Sequence, residues 1–115
     1  MELIALRTFE AVVDEGGILA ASRKLNTVQS NVTSRIRRLE EELGAELFFR
    51  KGRGLELAPS GRVLLDYARR MLSLERETSV AVRQAGEAAG ELRIGAMETF
   101  AAVHLPNALK QVRAS

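Results

Sequence analysis

Residues 18–44 read ILAASRKLNTVQSNVTSRIRRLEEELG, and this stretch decides the fold. It predicts two short helices joined by a tight turn at Asn26-Thr27, the second helix closed by Gly44. In the first, about Ile18 to Leu25, Ala20, Ala21 and Leu25 form the inward stripe, and the small alanines let another helix backbone come close. Along the second, about Val28 to Leu43, Val32, Ile36, Leu39 and Leu43 recur at helical spacing and predict one buried seam. Charge is sorted over the same residues. Arg23, Lys24, Arg35, Arg37 and Arg38 come before any carboxylate, and Glu40, Glu41 and Glu42 follow. The whole chain is only +2, so the sorting is local placement rather than a general basic bias.

With the seam turned inward, the opposite side of the second helix shows Ser30, Ser34, Arg37 and Arg38. Asn31 and Thr33 flank that face, and Gln29 stands at the helix start. Short polar side chains ahead of arginines suit a reader of the DNA major groove. Gln and Asn can pair with adenine N6 and N7, Ser and Thr can bond either base edge, and arginines one turn further on can reach phosphates. The competing reading is a solvated helix face, and the surrounding elements count against it.

Ahead of this pair, Leu6, Phe9, Val12 and Val13 predict a first helix over about Leu3 to Asp14, stopped by Gly16 and Gly17. After it, Leu47-Phe48-Phe49-Arg50 and Leu55-Glu56-Leu57 flank Lys51-Gly52-Arg53-Gly54, which predicts a hairpin, or wing, with a basic tip. Lys51 and Arg53 are placed to reach a groove, and an arginine in a narrow minor groove reads A·T-rich shape. Arg50 is alternatively a support for the hairpin base. Pro59 and Ser60 then open a long helix running to about Ala89, on the order of 45 Å. Its apolar positions Leu64, Ala68, Met71, Leu74, Thr78, Val82 and Ala85 step by three and four, as in paired helices. The alternative is one face laid on its own domain; pairing is favoured because a small head has little surface left to cover it. Gly90 is expected to end the helix, Glu91 to Gly95 to alternate as a strand, and Phe100 to Val112 to form a helix that opens a further unit.

Composition limits the chemistry. The 115 residues are 46% hydrophobic and 28% charged, an ordinary globular balance. There is no cysteine and one histidine, His104, so a thiolate metal site is impossible and a His-based triad is not expected. No leader-like or membrane-spanning run stands out, and a cytoplasmic protein without cofactor, metal or catalytic residues is expected.

These residues carry a family resemblance. The run from Ala11 to Gly61 resembles the N-terminal domain of LysR-type bacterial transcriptional regulators, through Ala20-Ala21, Leu25, Gln29, Val32, Ile36, Leu39-Glu40, Leu43-Gly44, Leu47-Phe48, Arg50, Leu57 and Gly61. The register continues without gaps from Met1 to about Ala89. The resemblance implies a mainly α chain: a winged helix-turn-helix over residues 1–58, with the helix-turn-helix at about 18–43, then a linker or dimerisation helix over 59–89. Residues 90–115 would then begin a truncated α/β effector-binding domain. It implies DNA contacts at Gln29, Ser30, Asn31, Thr33, Ser34 and the wing residue Arg53, to which the residue chemistry adds Arg37, Arg38 and Lys51. Pairing would use Leu64, Ala68, Met71, Leu74 and Val82, and a small-molecule effector would meet Thr99 and Phe100 in a full-length form.

Three local departures stand out. Val28-Gln29-Ser30 replaces the family's usual Ser-Gln-Pro, so Thr27 is expected to supply the cap oxygen. Ser34-Arg35 replaces the common Arg-Gln pair, and Leu57-Ala58 the Leu-Thr helix start, leaving that cap to Ser60 or the backbone. The expected function is a DNA-binding transcriptional regulator, a homodimer or a tetramer, on an interrupted palindromic operator. The competing class is a winged-helix protein-interaction module whose partner surface is Glu40 to Glu42 and the Met71/Leu74 seam.

Overall fold

Each helix of the head ends where the sequence supplies a residue that tolerates a left-handed backbone. The computed structural model describes residues 1–95, with side chains through Gly90. The order is α1 (Leu3–Glu15), α2 (Ile18–Lys24), α3 (Gln29–Leu43), β1 (Phe48–Lys51), β2 (Gly54–Leu57) and α4 (Pro59–Gly95). Gly16 closes α1 at φ 88° and Gly44 closes α3 at φ 66°. Between α2 and α3 the left-handed position falls to Asn26, at φ 60°. Its N–H donates to Arg23 O at 3.2 Å, and the N–H of Thr27 donates to Ser22 O at 2.9 Å. This paired closure is a Schellman motif, and it sets the angle at which the chain enters α3.

Residues Met1–Glu75 form one compact unit, and a second begins at Arg76. The core of the first joins Leu6, Phe9 and Val12 of α1 to Ala21 of α2, and Val32, Ile36 and Leu39 of α3 to Leu47 and to Leu64, Ala68 and Leu72 of α4. Each large apolar side chain buried this way contributes roughly 1.5–3 kcal/mol. The expected rail of α3 is therefore buried at three of its four positions. Leu43 is the exception, 41% exposed, because the core ends a turn before the helix does.

The wing is an antiparallel pair in which Phe48 faces Leu57 and Lys51 faces Gly54. The two-residue connection Gly52-Arg53 has its glycine at φ 58°, the first-position glycine of a type II′ hairpin turn. Two contacts fix the hairpin to the head, and a third closes its base. The Phe48 ring lies 5.4 Å from that of Phe9, the Leu47 N–H donates to Glu40 Oε2 at 2.8 Å, and the Ala58 N–H donates to Leu47 O at 2.9 Å. The first turn of α4 passes so near Leu47 O that a side chain at Gly61 would overlap it. Because the Glu40 bond is charge-assisted, Glu40→Ala is expected to cost about 1.5–3 kcal/mol in urea unfolding. Glu41→Ala, at an exposed position, should stay within about 0.5 kcal/mol of the parent.

Two expectations for the long helix are corrected. Leu64 and Ala68, assigned to a pairing seam, are 8% and 0% exposed and belong to the head's own core, with Met71 packed against it. The helix also passes through Gly90 to Gly95, where a strand was expected. An interior glycine costs only about 1 kcal/mol relative to alanine, and the alanine-rich run from Ala85 to Ala89 offsets that. The expected Phe100 to Val112 helix lies outside the described residues. On the head side, α4 is tied to α1 by exposed ion pairs: Arg69 with Glu10 at 3.3 Å and Asp14 at 3.0 Å, and Arg7 with Glu75 at 2.9 Å. The hydrogen bond to Asp14 raises the Arg69 pKa still further above its ordinary value. Exposed pairs of this kind contribute roughly 0–1 kcal/mol each.

Candidate nucleic-acid interface

The outward face of α3 gathers most of the expected contact residues. Ser30, Thr33, Ser34, Arg37 and Arg38 line one shallow groove of about 480 Å³, closed at its far end by Glu41. Positions 30, 34, 37 and 41 follow the helical repeat, so a single ridge of small hydroxyls leads into arginines. Gln29 and Asn31 lie outside the groove on the exposed front turn of α3, and Lys51 and Arg53 are exposed at the wing tip. Among the described residues Arg37, Arg38, Lys51 and Arg53 have no acidic partner, so their charges are available to an anionic ligand.

Two side chains depart from expectation. Thr27 does not cap α3, whose first turn has no side-chain cap bond; its Oγ1 accepts from Asn31 Nδ2 at 2.8 Å. Valine at the cap position has no side-chain acceptor, and the helix starts there without one. Arg35 is half-buried and turned toward α1, its Nη1 donating to Thr8 Oγ1 at 3.3 Å. Thr8 is fully buried and donates its own hydroxyl proton to Ile4 O at 2.8 Å. One of the five cations that drew attention to this segment therefore braces α3 against α1. Sequence reading missed that role because the helical wheel places Arg35 at the edge of the rail and cannot say which way a long side chain turns.

On α4 the exposed apolar side chains differ from those expected. Tyr67 is 53% exposed, and with Leu43, Val63 and Met71 it lines an apolar recess of about 310 Å³ on the head. Leu74 is exposed as expected, and beyond Glu75 Val82 is 64% exposed. Thr99 and Phe100 lie outside the described residues. No helix among the described residues is long and apolar enough to cross a membrane.

Comparisons with known proteins agree with this geometry. The family model described as bacterial regulatory helix-turn-helix protein, lysR family, matches residues 3–62. The chain is 49% identical over 109 residues to the uncharacterized HTH-type transcriptional regulator YusT of Bacillus subtilis, covering 95% of this chain and 37% of that protein. It is 41% identical over 109 residues to the HTH-type transcriptional regulator GltR of the same organism, again covering 95% and 37%. The chain thus spans little more than a third of these relatives. Among solved structures, the DNA-binding domain of CbnR in complex with DNA superposes with a TM-score of 0.72 at 36% identity, over 75% of this chain and 99% of that one. A BenM DNA-binding domain on catB site 1 DNA gives 0.72 at 35% identity, over 75% and 96%. On sequence match and fold together, the chain belongs to the LysR family of bacterial regulatory helix-turn-helix proteins.

Proposed function

We propose that this chain is the DNA-binding portion of a cytoplasmic transcriptional regulator that acts as a homodimer on an interrupted palindrome. The observation that carries the reading is the α3 groove lined by Ser30, Thr33, Ser34, Arg37 and Arg38, with unpaired cations there and at the wing tip. Gln29, Ser30, Asn31, Thr33 and Ser34 read base edges in the major groove, Arg37 and Arg38 hold phosphates, and Lys51 and Arg53 reach the adjacent minor groove. The solved relatives of the same fold that were crystallised on DNA support this. Two copies of α3 enter successive major grooves about one helical turn apart, or a multiple of it.

Pairing draws on the exposed apolar positions of α4, Val63, Tyr67, Leu74 and Val82, and not on the buried Leu64 and Ala68. Dimers that pair again give a tetramer. In a full-length protein, residues from 90 onward lead into the effector-binding domain, with Thr99 and Phe100 at its pocket.

Gel-shift titration on a random-pool-selected site tests the reading. Gln29→Ala is expected to relax base preference by about 1–3 kcal/mol at one position. Arg53→Ala is expected to weaken binding most on A·T-flanked sites and to lower the log–log salt slope by about 0.9. Variants that bind every sequence as the parent does would sink these roles. A parent salt slope near zero would favour the protein-interaction module instead.

A further inference from the structure

We propose that Thr27 is a positioning residue for base readout: its hydroxyl holds the Asn31 amide so that one N–H and the Oδ1 carbonyl face the DNA together. The inference rests on the reading of α3 as the groove-entering helix and goes beyond it, because Thr27 itself need touch no base.

The argument starts at the turn. Thr27 is the last residue of the Schellman closure, its N–H held by Ser22 O at 2.9 Å, and Ser22 is buried with its own hydroxyl donating to Leu19 O at 2.7 Å. The Thr27 backbone is therefore fixed from the head's interior. Its β-branched side chain has little freedom at χ1, so the position of Oγ1 is fixed as well. Four residues on, one helical turn along, Asn31 Nδ2 donates to that oxygen at 2.8 Å. A free asparagine on an exposed helix face samples several rotamers and both amide orientations. The bond to Thr27 narrows that choice, with the amide nitrogen toward the hydroxyl.

What remains of the amide decides the chemistry. An amide nitrogen carries two hydrogens; donating the one anti to Oδ1 to Thr27 leaves the syn hydrogen beside the Oδ1 acceptor. Adenine presents an N7 acceptor and an N6 donor in the major groove, the complement of that pair. In that orientation the amide presents the face that suits adenine, and the bond lowers the ordering cost of the binding step. A structural role alone, as a brace on the first turn of α3, would affect folding or all DNA sequences equally. A positioning role affects one base pair.

The test uses the 115-residue chain and its Thr27→Val, Thr27→Ser, Asn31→Ala and Thr27→Val/Asn31→Ala variants. Binding is measured on a selected site and on sites with each base pair changed in turn. Thr27→Val, which keeps shape and loses the acceptor, is expected to reduce discrimination at the base pair read by Asn31 about three- to tenfold. Affinity for non-specific duplex should stay within about twofold. Thr27→Ser, which keeps the hydroxyl but not the methyl that restricts χ1, should restore part of the discrimination, and Thr27→Val should add nothing to Asn31→Ala. In the free protein, the Asn31 side-chain amide should show one rotamer by nuclear magnetic resonance in the parent and averaging in Thr27→Val.

Equal loss on all sequences, failure of Thr27→Ser to rescue, additivity with Asn31→Ala, or an already averaged amide in the parent each overturns the proposal. If Asn31→Ala leaves base preference unchanged while Gln29→Ala alters it, the groove-reading helix stands and the role of Thr27 falls. A parent that binds no duplex overturns both.

Discussion

Gly61→Ala is expected to destabilise the head by about 3 kcal/mol, although it adds a single methyl group. A Cβ at this position overlaps Leu47 O and comes within 2.5 Å of Leu57 Cδ1, and the glycine is buried. The carbonyl cannot simply move aside, because it accepts the Ala58 N–H at 2.9 Å and its residue's own N–H is held by Glu40. Relief must come from shifting the start of α4 or the base of the wing, and either opens the core around Leu47. In a domain of this size the loss lowers the unfolding temperature by roughly 12–24 °C. Gly86→Ala is the matched control. A Cβ there meets nothing within 4 Å, and replacing glycine inside a helix should stabilise by about 0.5–1 kcal/mol. Thermal unfolding by circular dichroism reads both. A Gly61→Ala protein that melts with the parent would mean that Leu47 can yield without cost.

Phe9→Ala should cost more, about 3–5 kcal/mol, a large part of the stability of a small domain. Phe9 is fully buried, and its ring meets Phe48 of the wing 5.4 Å away at a tilt of 50°. Truncation removes the apolar contact, leaves a cavity, and takes the support from under β1. Phe9→Leu fills most of the space and should cost under about 1.5 kcal/mol. Urea unfolding separates the two. If the alanine and leucine variants unfold at the same midpoint, filling the space under Phe48 contributes nothing and the expected cavity cost is wrong.

The sequence was most legible where one physical signal dominated. Periodicity and the glycines after α1 and α3 placed those helices within a residue or two, and the Gly52 hairpin followed from turn chemistry. The same periodicity failed on α4 for an identifiable reason. Leu64 and Ala68 repeat as helix-pairing residues do, yet they are buried in the core of their own chain, and spacing alone does not say whose core a stripe enters. Glycine is the usual terminator and so Gly90 reads as a stop, but termination also needs a left-handed turn. The positive-φ glycines are Gly16, Gly44 and Gly52 among the described residues.

On the exposed face of α3, residue type and the wheel group the hydroxyls and arginines that line one groove. Type and wheel are silent on the contacts that orient side chains. Arg35 counts among the five cations of the segment, and the structure gives it to Thr8. Thr27 was expected to cap a helix and is bonded instead to the side chain of Asn31.

The Glu40 carboxylate joins the last turn of α3 to the first residue of the wing arm at 2.8 Å. In the proposed complex, that bond makes the protein a measuring device. The offset between the bases under α3 and the flank under Arg53 is fixed by covalent geometry, by this bond and by the Phe9–Phe48 contact, not by a flexible arm. Inserting a single base pair between those two zones would therefore take the flank out of phase with the tip, and the protein could not stretch to follow it.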